Sequence, residues 1–323
     1  MRITLANPRG FCAGVNMAVD MIDRLLDAME TDEQLYVYHE IVHNKHVIHR
    51  FEERGAIFVD SIEDIPTDSV VVFSAHGVSP AIWEAAENRN LTAIDATCPL
   101  VTKVHAEAKR YAQQGKQILL IGHRNHQEVV GTKGEAPDCT QVVESLEDIP
   151  KLQIDDPDNL VYLTQTTLST DDANRIIEAL KDAFPAIKSP PSDDICYATT
   201  NRQKAVNESA ADVDLVLVIG SDNSSNSIRL TEIAQTLGTP AYLLDDVSQL
   251  NTQWLENVNS LLITSGASAP ERFVTELIDH LVEHHEGEFI QTPVVDEGMF
   301  FSMPQSLQTF IDSRNVTVQG QDQ

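Results

Sequence analysis

Basic residues are scarce: 22 lysines and arginines stand against 50 aspartates and glutamates, a net charge of −28 over 323 residues. Such a surface repels phosphate backbones, which excludes a nucleic-acid-binding role, and it suits solubility in a salty cytoplasm. Much of the acid falls in turns and on helix faces such as Ser61-Ile62-Glu63-Asp64 and Leu152-Gln153-Ile154-Asp155-Asp156, where it reads as solvated surface. No apolar run approaches the roughly 20 residues of a membrane span. The start, Met1-Arg2-Ile3-Thr4-Leu5-Ala6-Asn7-Pro8, has no apolar core behind a basic stretch, so a cytoplasmic protein with no membrane partner is expected. Cysteine is limited to four dispersed residues, which excludes a disulfide framework and leaves the thiols free for metal in a reducing compartment. Absent too is a G-x-G-x-x-G fingerprint, so no nicotinamide or flavin site is expected. What remains, 42% hydrophobic and 22% charged, is ordinary for a globular protein of two or three lobes.

Short β-branched runs alternate with helical patterns, the signature of parallel βαβ units. Strands are expected at Ile3–Ala6, Leu35–Tyr38, Val70–Phe73, Ala93–Ile94, Ile118–Ile121, Leu160–Leu163, Leu215–Ile219, Tyr242–Leu244 and Leu261–Thr264. Helices are expected at Val15–Met29, Pro80–Asn88, Pro99–Gln113, Thr170–Phe184, Asn201–Ala211, Asn226–Leu237 and Ala269–Glu283, the second with Ser79 as cap and Pro80 in first place. Division at the cysteines gives an α/β protein of three related lobes: 13–97, 98–195, and 196–290 with 1–12. The Pro-rich stretch Lys188 to Asp194 is a loop into the third lobe. After Glu286 the chain, including a tail over 291–323, is expected to be irregular, and Asn315 to Gln323 to fray.

Three cysteines sit in signatures that open helices: Gly10-Phe11-Cys12-Ala13-Gly14, Ala96-Thr97-Cys98-Pro99 and Asp194-Ile195-Cys196-Tyr197. A thiol there meets oriented N–H groups and a partial positive charge, which favour the thiolate that metals require. Separations of 86 and 98 residues are far from the C-x-x-C of zinc knuckles, so a common centre has to be assembled by tertiary folding. The plainer alternative is three small buried hydrophobes. Cys139, ahead of the strand-like Gln141-Val142-Val143, opens no helix and reads as structural.

Parallel sheets gather ligands at the carboxyl ends of their strands. There the chain places His39-Glu40-Ile41-Val42-His43-Asn44, Ser74-Ala75-His76-Gly77, Gly122-His123-Arg124-Asn125-His126-Gln127-Glu128, Thr164-Gln165-Thr166-Thr167, Gly220-Ser221-Asp222-Asn223-Ser224-Ser225-Asn226 and Ser265-Gly266-Ala267-Ser268. Neutral donors beside small residues can surround a phosphate without a Lys or Arg clamp, with Asn223 to Asn226 before a helix as the leading candidate. Any one of them alone is an ordinary cap or turn. Glu128 beside His126 suits general acid chemistry if it is buried beside an anion; otherwise it is a solvent-facing helix start.

With these segments in order from residue 6 to residue 270, including Asp95 to Val101, Cys196-Tyr197-Ala198-Thr199-Thr200-Asn201-Arg202-Gln203 and Thr264 to Pro270, the chain resembles the 4-hydroxy-3-methylbut-2-enyl diphosphate reductase family of the non-mevalonate isoprenoid pathway. The resemblance implies a trefoil of three α/β lobes around a 4Fe-4S cluster on Cys12, Cys98 and Cys196, with Cys139 uninvolved. It implies an oxidoreductase that makes isopentenyl and dimethylallyl diphosphates, with the substrate held by His43, His76, His126, Thr166, Ser224, Ser225, Asn226 and Ser268. Glu128 would deliver protons with Thr166 and His126 in the relay, and electrons would come from a flavodoxin or ferredoxin. Two departures, Gln127 where the family usually has Pro and Asn16-Met17 where Asp-Arg is common, bear on helix starts rather than ligands. Two rival readings are a metallohydrolase whose His and Glu residues bind zinc, and a non-enzymatic iron or redox sensor.

Overall fold

The computed structural model describes residues 1–30, 33–291 and 295–321, with side chains through Arg314. The first elements are β1 (Arg2–Leu5), α1 (Ala13–Ala28), β2 (Leu35–Tyr38), α2 (Lys45–Glu53), β3 (Ala56–Val59), β4 (Val70–Phe73), α3 (Pro80–Asn88) and β5 (Thr92–Asp95). There follow α4 (Pro99–Gln113), β6 (Gln117–Ile121), α5 (Gln127–Gly134), β7 (Thr140–Val143), β8 (Leu160–Thr164), α6 (Thr170–Ala183) and α7 (Tyr197–Ser209). The remainder is β9 (Leu215–Ile219), α8 (Ser225–Thr236), β10 (Ala241–Leu244), β11 (Ser260–Ser265), α9 (Glu271–His284), β12 (Glu288–Phe289) and α10 (Gln305–Gln321). No helix among the described residues is long and apolar enough to cross a membrane.

The strands form three sheets, ordered β3-β2-β4-β5, β7-β6-β8 and β10-β9-β11-β1-β12, and every pairing is parallel. Helices cover both faces of such sheets, so central strands are apolar throughout rather than alternating. Val70–Phe73 and Leu215–Ile219 are buried at every position. On the first sheet, Met21, Ile22 and Leu25 of α1 and Phe51 of α2 cover one face, and Ile62, Ile65 and Val78 the other. On the third, Phe273, Val274 and Leu277 of α9 oppose Leu230 and Ile233 of α8. β1 is inserted between β11 and β12, with Ile3 beside Leu261 and Phe289.

Several sequence expectations need correction. The first strand lies one residue earlier than Ile3–Ala6, and the helices expected from Val15 and Asn201 begin at Ala13 and Tyr197, directly after their cysteines. Ser79 takes the N-cap position of α3, but its side chain makes no capping bond. α2 and β3 went unread: α2 buries only Val47 and Phe51, whereas the edge strand β3, Ala56-Ile57-Phe58-Val59, is apolar throughout although it buries only Ala56. The chain after Glu286 is irregular only in part, since residues 290–291 and 295–304 carry no helix or strand but lie between β12 and α10. β12 pairs with β1, and α10 packs on α1 and β5 through the buried Leu307, with Phe310 and Ile311 against the same core. Of the end expected to fray, α10 continues to Gln321, and the last two residues lie outside the described ones.

Candidate functional site

One pocket, lined by residues that follow strands of all three sheets, brings together all twelve residues singled out from the sequence: Cys12, Cys98, Cys196, His43, His76, His126, Glu128, Thr166, Ser224, Ser225, Asn226 and Ser268. The three cysteines occupy the N-cap positions of α1, α4 and α7. Cys196 Sγ accepts from the Thr199 N–H at 3.4 Å and lies 3.1 Å from Thr199 Oγ1. Gly14 makes the convergence possible, because a Cβ there would sit 2.6 Å from Cys98 Sγ and 3.9 Å from Cys12 Sγ. Cys139 lies elsewhere, against the core of the second sheet.

Helix position alone does not set the charge on these thiols. Burial pushes Cys98 up to about 12 and Cys196 to about 11, with the Cys12 sulfur as the next cause in both, and burial raises Cys12 as well. Among the protein's own groups, desolvation and mutual repulsion outweigh the helix ends. A bound cation reverses that balance, because a coordinating thiol is deprotonated outright.

Glu128, in the first turn of α5, is 2% exposed and is no solvent-facing helix start. The Thr166 N–H donates to its Oε1 at 2.6 Å and the Thr166 hydroxyl to its Oε2 at 2.9 Å. Burial lifts the carboxyl to about 7 against the pull of those two bonds, so no neighbouring anion is needed to make it an acid at neutral pH. α5 starts regularly at Gln127, and His126 caps it by accepting the Glu128 N–H on Nδ1 at 3.2 Å. That bond leaves Nε2 as the protonated nitrogen of a neutral His126.

His43 and His76 stack with ring centroids 4.1 Å apart, and His126 stands edge-on to both at 5.4 and 5.7 Å. Burial, reinforced by the neighbouring rings, holds His76 well below the ordinary histidine range and brings His126 to about 3. His43 Nδ1 is bound to Glu40 at 2.9 Å, while its Nε2 is buried without a partner. Across the pocket Ser224 caps α8, and Ser268 Oγ lies 3.4 Å from Ser224 Oγ and donates to the His43 carbonyl at 2.9 Å. Asn226 Oδ1 accepts from the Ala267 N–H at 3.0 Å, which fixes the amide. The result is an anion cradle of neutral hydroxyls, an amide, imidazoles and a helix N-terminus.

Four contributors escaped the sequence reading. Thr199 holds Cys196 and accepts from Asn226 at 3.4 Å; Glu40 joins His43 to Asn223, whose amide donates to it at 2.7 Å. Tyr197 and Phe301 line the pocket. Thr199 and Tyr197 lay inside a recognised motif, whereas Phe301 comes from the stretch read as irregular.

Residues 3–282 match the family model for LytB protein. The 4-hydroxy-3-methylbut-2-enyl diphosphate reductase of Rhodopirellula baltica is 51% identical over 310 residues, covering 96% of this chain and 97% of the relative. The reductase of Idiomarina loihiensis is 49% identical over 310 residues, covering 95% and 98%. Among solved structures, the E-1-hydroxy-2-methyl-but-2-enyl-4-diphosphate reductase of Plasmodium falciparum superposes with a TM-score of 0.90 at 40% identity, over 97% of this chain and 98% of that one. A second, described as the terminal enzyme of the non-mevalonate pathway, gives 0.62 at 30% identity, over 87% and 99%.

Proposed function

Because the chain belongs to the LytB protein family and is an oxidoreductase, we propose that it reductively removes the hydroxyl of 4-hydroxy-3-methylbut-2-enyl diphosphate. The products are isopentenyl and dimethylallyl diphosphates and water, two electrons and two protons being consumed per turnover. The observation that carries this reading is one pocket uniting three thiols, a buried acid and a neutral anion cradle. In this reading the lobes are 13–97, 98–195 and 196–290 with 1–12, and 291–323 is the C-terminal segment.

The donor set fits a 4Fe-4S cluster on Cys12, Cys98 and Cys196. No three His, Cys, Asp or Glu side chains among the described residues share a single-ion position, whereas three thiols at separate helix starts suit a group in which each sulfur takes a different iron. Held by Cys12, Cys98 and Cys196, such a cluster would supply electrons and Lewis acidity toward the substrate hydroxyl. The diphosphate rests on Ser224, Ser225, Asn226, Ser268 and the start of α8, with the His43, His76 and His126 imidazoles on the opposite side. That local donor set answers a net charge of −28, which otherwise opposes an anion.

Glu128, protonated near neutral pH, gives its proton to the leaving hydroxyl. Thr166 fixes both carboxyl oxygens and lies in the relay, and His126 orients the first turn of α5 by accepting the Glu128 N–H. The enzyme works in the cytoplasm and takes its electrons from an external protein, a flavodoxin or ferredoxin. The test is anaerobic purification with iron and sulfide analysis of the parent and of Cys12→Ser, Cys98→Ser, Cys196→Ser and Cys139→Ser, followed by product analysis with a reduced viologen dye. Four irons lost in the first three variants and kept in the fourth, with both diphosphate products from the parent, support the reading. Zinc in place of iron moves a metallohydrolase to the front.

A further inference from the structure

Arg202 is among the largest side chains with no exposed surface in this protein, and nothing in the chemistry above uses it. Its fork spans three separate segments. Nη1 donates to the Ala198 carbonyl at 2.9 Å and to Glu297 Oε1 at 3.3 Å. Nη2 donates to the Gly10 carbonyl at 2.8 Å, to the Arg9 carbonyl at 3.4 Å and to Glu297 Oε2 at 3.2 Å. The Asn201 amide donates to the same Glu297 carboxylate at 2.9 Å.

The location of those segments matters. Arg9 and Gly10 lead into Cys12, and Gly10 sits at φ 71°, a left-handed conformation that glycine adopts without strain. Arg202 itself belongs to α7, the helix that Cys196 caps. A second tie joins the same two helix starts, because the Ala13 N–H donates to the Tyr197 hydroxyl at 3.1 Å. Glu297 comes from the C-terminal stretch, and four residues later Phe301 forms part of the pocket wall while its neighbour Phe300 is exposed.

We propose that the Arg202–Glu297 ion pair is a positioning clasp, which fixes the Cys12 loop against the start of α7 and straps residues 295–301 across the pocket. The proposal rests on the cluster reading given above for its effect on iron, but the clasp itself is a feature of the polypeptide. A planar guanidinium is suited to the task because it binds a carboxylate through two nitrogens while reaching backbone carbonyls on either side. Removing the carboxylate leaves a buried cation without its counter-charge, so the strap and both helix starts loosen together. Cys98 has no part in this clasp, so two of the three thiols are affected.

The experiment compares the parent with Glu297→Ala, Glu297→Gln and Arg202→Lys, and with Asp23→Asn as a control that breaks two ion pairs, to Arg50 and Arg54, among residues that do not line the pocket. Iron and sulfide content, the rate of cluster bleaching by a chelator without oxygen, and amide exchange in the cluster-free protein are read for each. Glu297→Ala is expected to load iron as the parent does yet bleach several-fold faster, with faster exchange at residues 10–14, 197–201 and 295–301. Glu297→Gln, which keeps an acceptor oxygen, falls between, and Asp23→Asn matches the parent. Bleaching and exchange unchanged in Glu297→Ala overturn the clasp; should that variant fail to fold, Arg202→Lys is judged by the same two readouts. A parent that takes up no iron overturns the cluster reading instead, and exchange in the cluster-free chains then decides the clasp alone.

Discussion

Thr166 holds both carboxyl oxygens of Glu128, the backbone N–H on Oε1 at 2.6 Å and the hydroxyl on Oε2 at 2.9 Å. The two residues come from different strand ends, Thr166 following β8 and Glu128 following β6, which are hydrogen-bonded neighbours in one sheet. The acid is thereby fixed in direction by a residue that also lowers its pKa, while burial raises it by more.

Glu128→Gln keeps the shape of the side chain and both acceptor directions for one oxygen but has no proton to give. Turnover should fall by about 10²–10⁴-fold, the usual worth of a positioned general acid. Iron content and substrate affinity, measured by titration calorimetry, should match the parent.

The raised carboxyl gives a pH signature in both activity and stability. Only protonated Glu128 donates, so kcat/KM should decline as pH rises through about 7. A carboxyl whose folded pKa lies above its unfolded value binds more protons when folded, so its contribution is fully present below the unfolded value and is lost as pH rises from there through about 7. In cluster-free protein Glu128→Gln should therefore melt higher than the parent at pH 8, and the gap should shrink toward pH 5.

Diphosphate binding should be accompanied by proton uptake. Burial first, and then the neighbouring His43 ring, hold both His76 and His126 below the ordinary histidine range. An anion beside them favours their charged forms, so affinity should weaken as pH rises. Calorimetry in buffers of different ionisation enthalpy measures the protons taken up; a value of zero would show that the imidazoles bind without charging.

Gly14→Ala places a methyl group 2.6 Å from Cys98 Sγ, a separation real Cβ atoms do not tolerate. The Cys98 thiol must then shift, while Cys12 Sγ at 3.9 Å stays in ordinary contact. Iron bound per chain should drop sharply while the circular dichroism of the three-sheet fold persists.

Much of this site was legible because parallel sheets leave their reactive side chains at strand ends. Val70–Phe73 announced where Ser74 and His76 would lie, and Leu215–Ile219 did the same for Ser224 and Asn226. The strands themselves were readable because both faces are buried and the apolar run is continuous. Where burial is one-sided the helix signal failed, since α2 has only two buried positions; β3, Ala56-Ile57-Phe58-Val59, carries the same apolar run as the strands that were read and was passed over. The surroundings of the cysteines were only half legible, for a different reason. A sequence shows that a thiol stands at a helix start, but not that the pocket around it excludes water. Nor does local pattern reveal the link from Arg202 to Glu297, which are 95 residues apart and meet only in the folded chain.

The place of β1 between β11 and β12 also dictates an order of events during synthesis. The first strand of the chain has no partner until residues 260–263 have left the ribosome, whereas the sheets built from β2 to β5 and β6 to β8 are complete long before. Elements generally fold as they emerge, and pairings of high sequence separation form last. The loop carrying Cys12 is therefore held early on one side, through α1 on the β2–β5 sheet, and on the other only when β1 finds β11. Pairing of β1 with β11 is thus the step that joins the Cys12 loop to the half of the chain carrying Cys196.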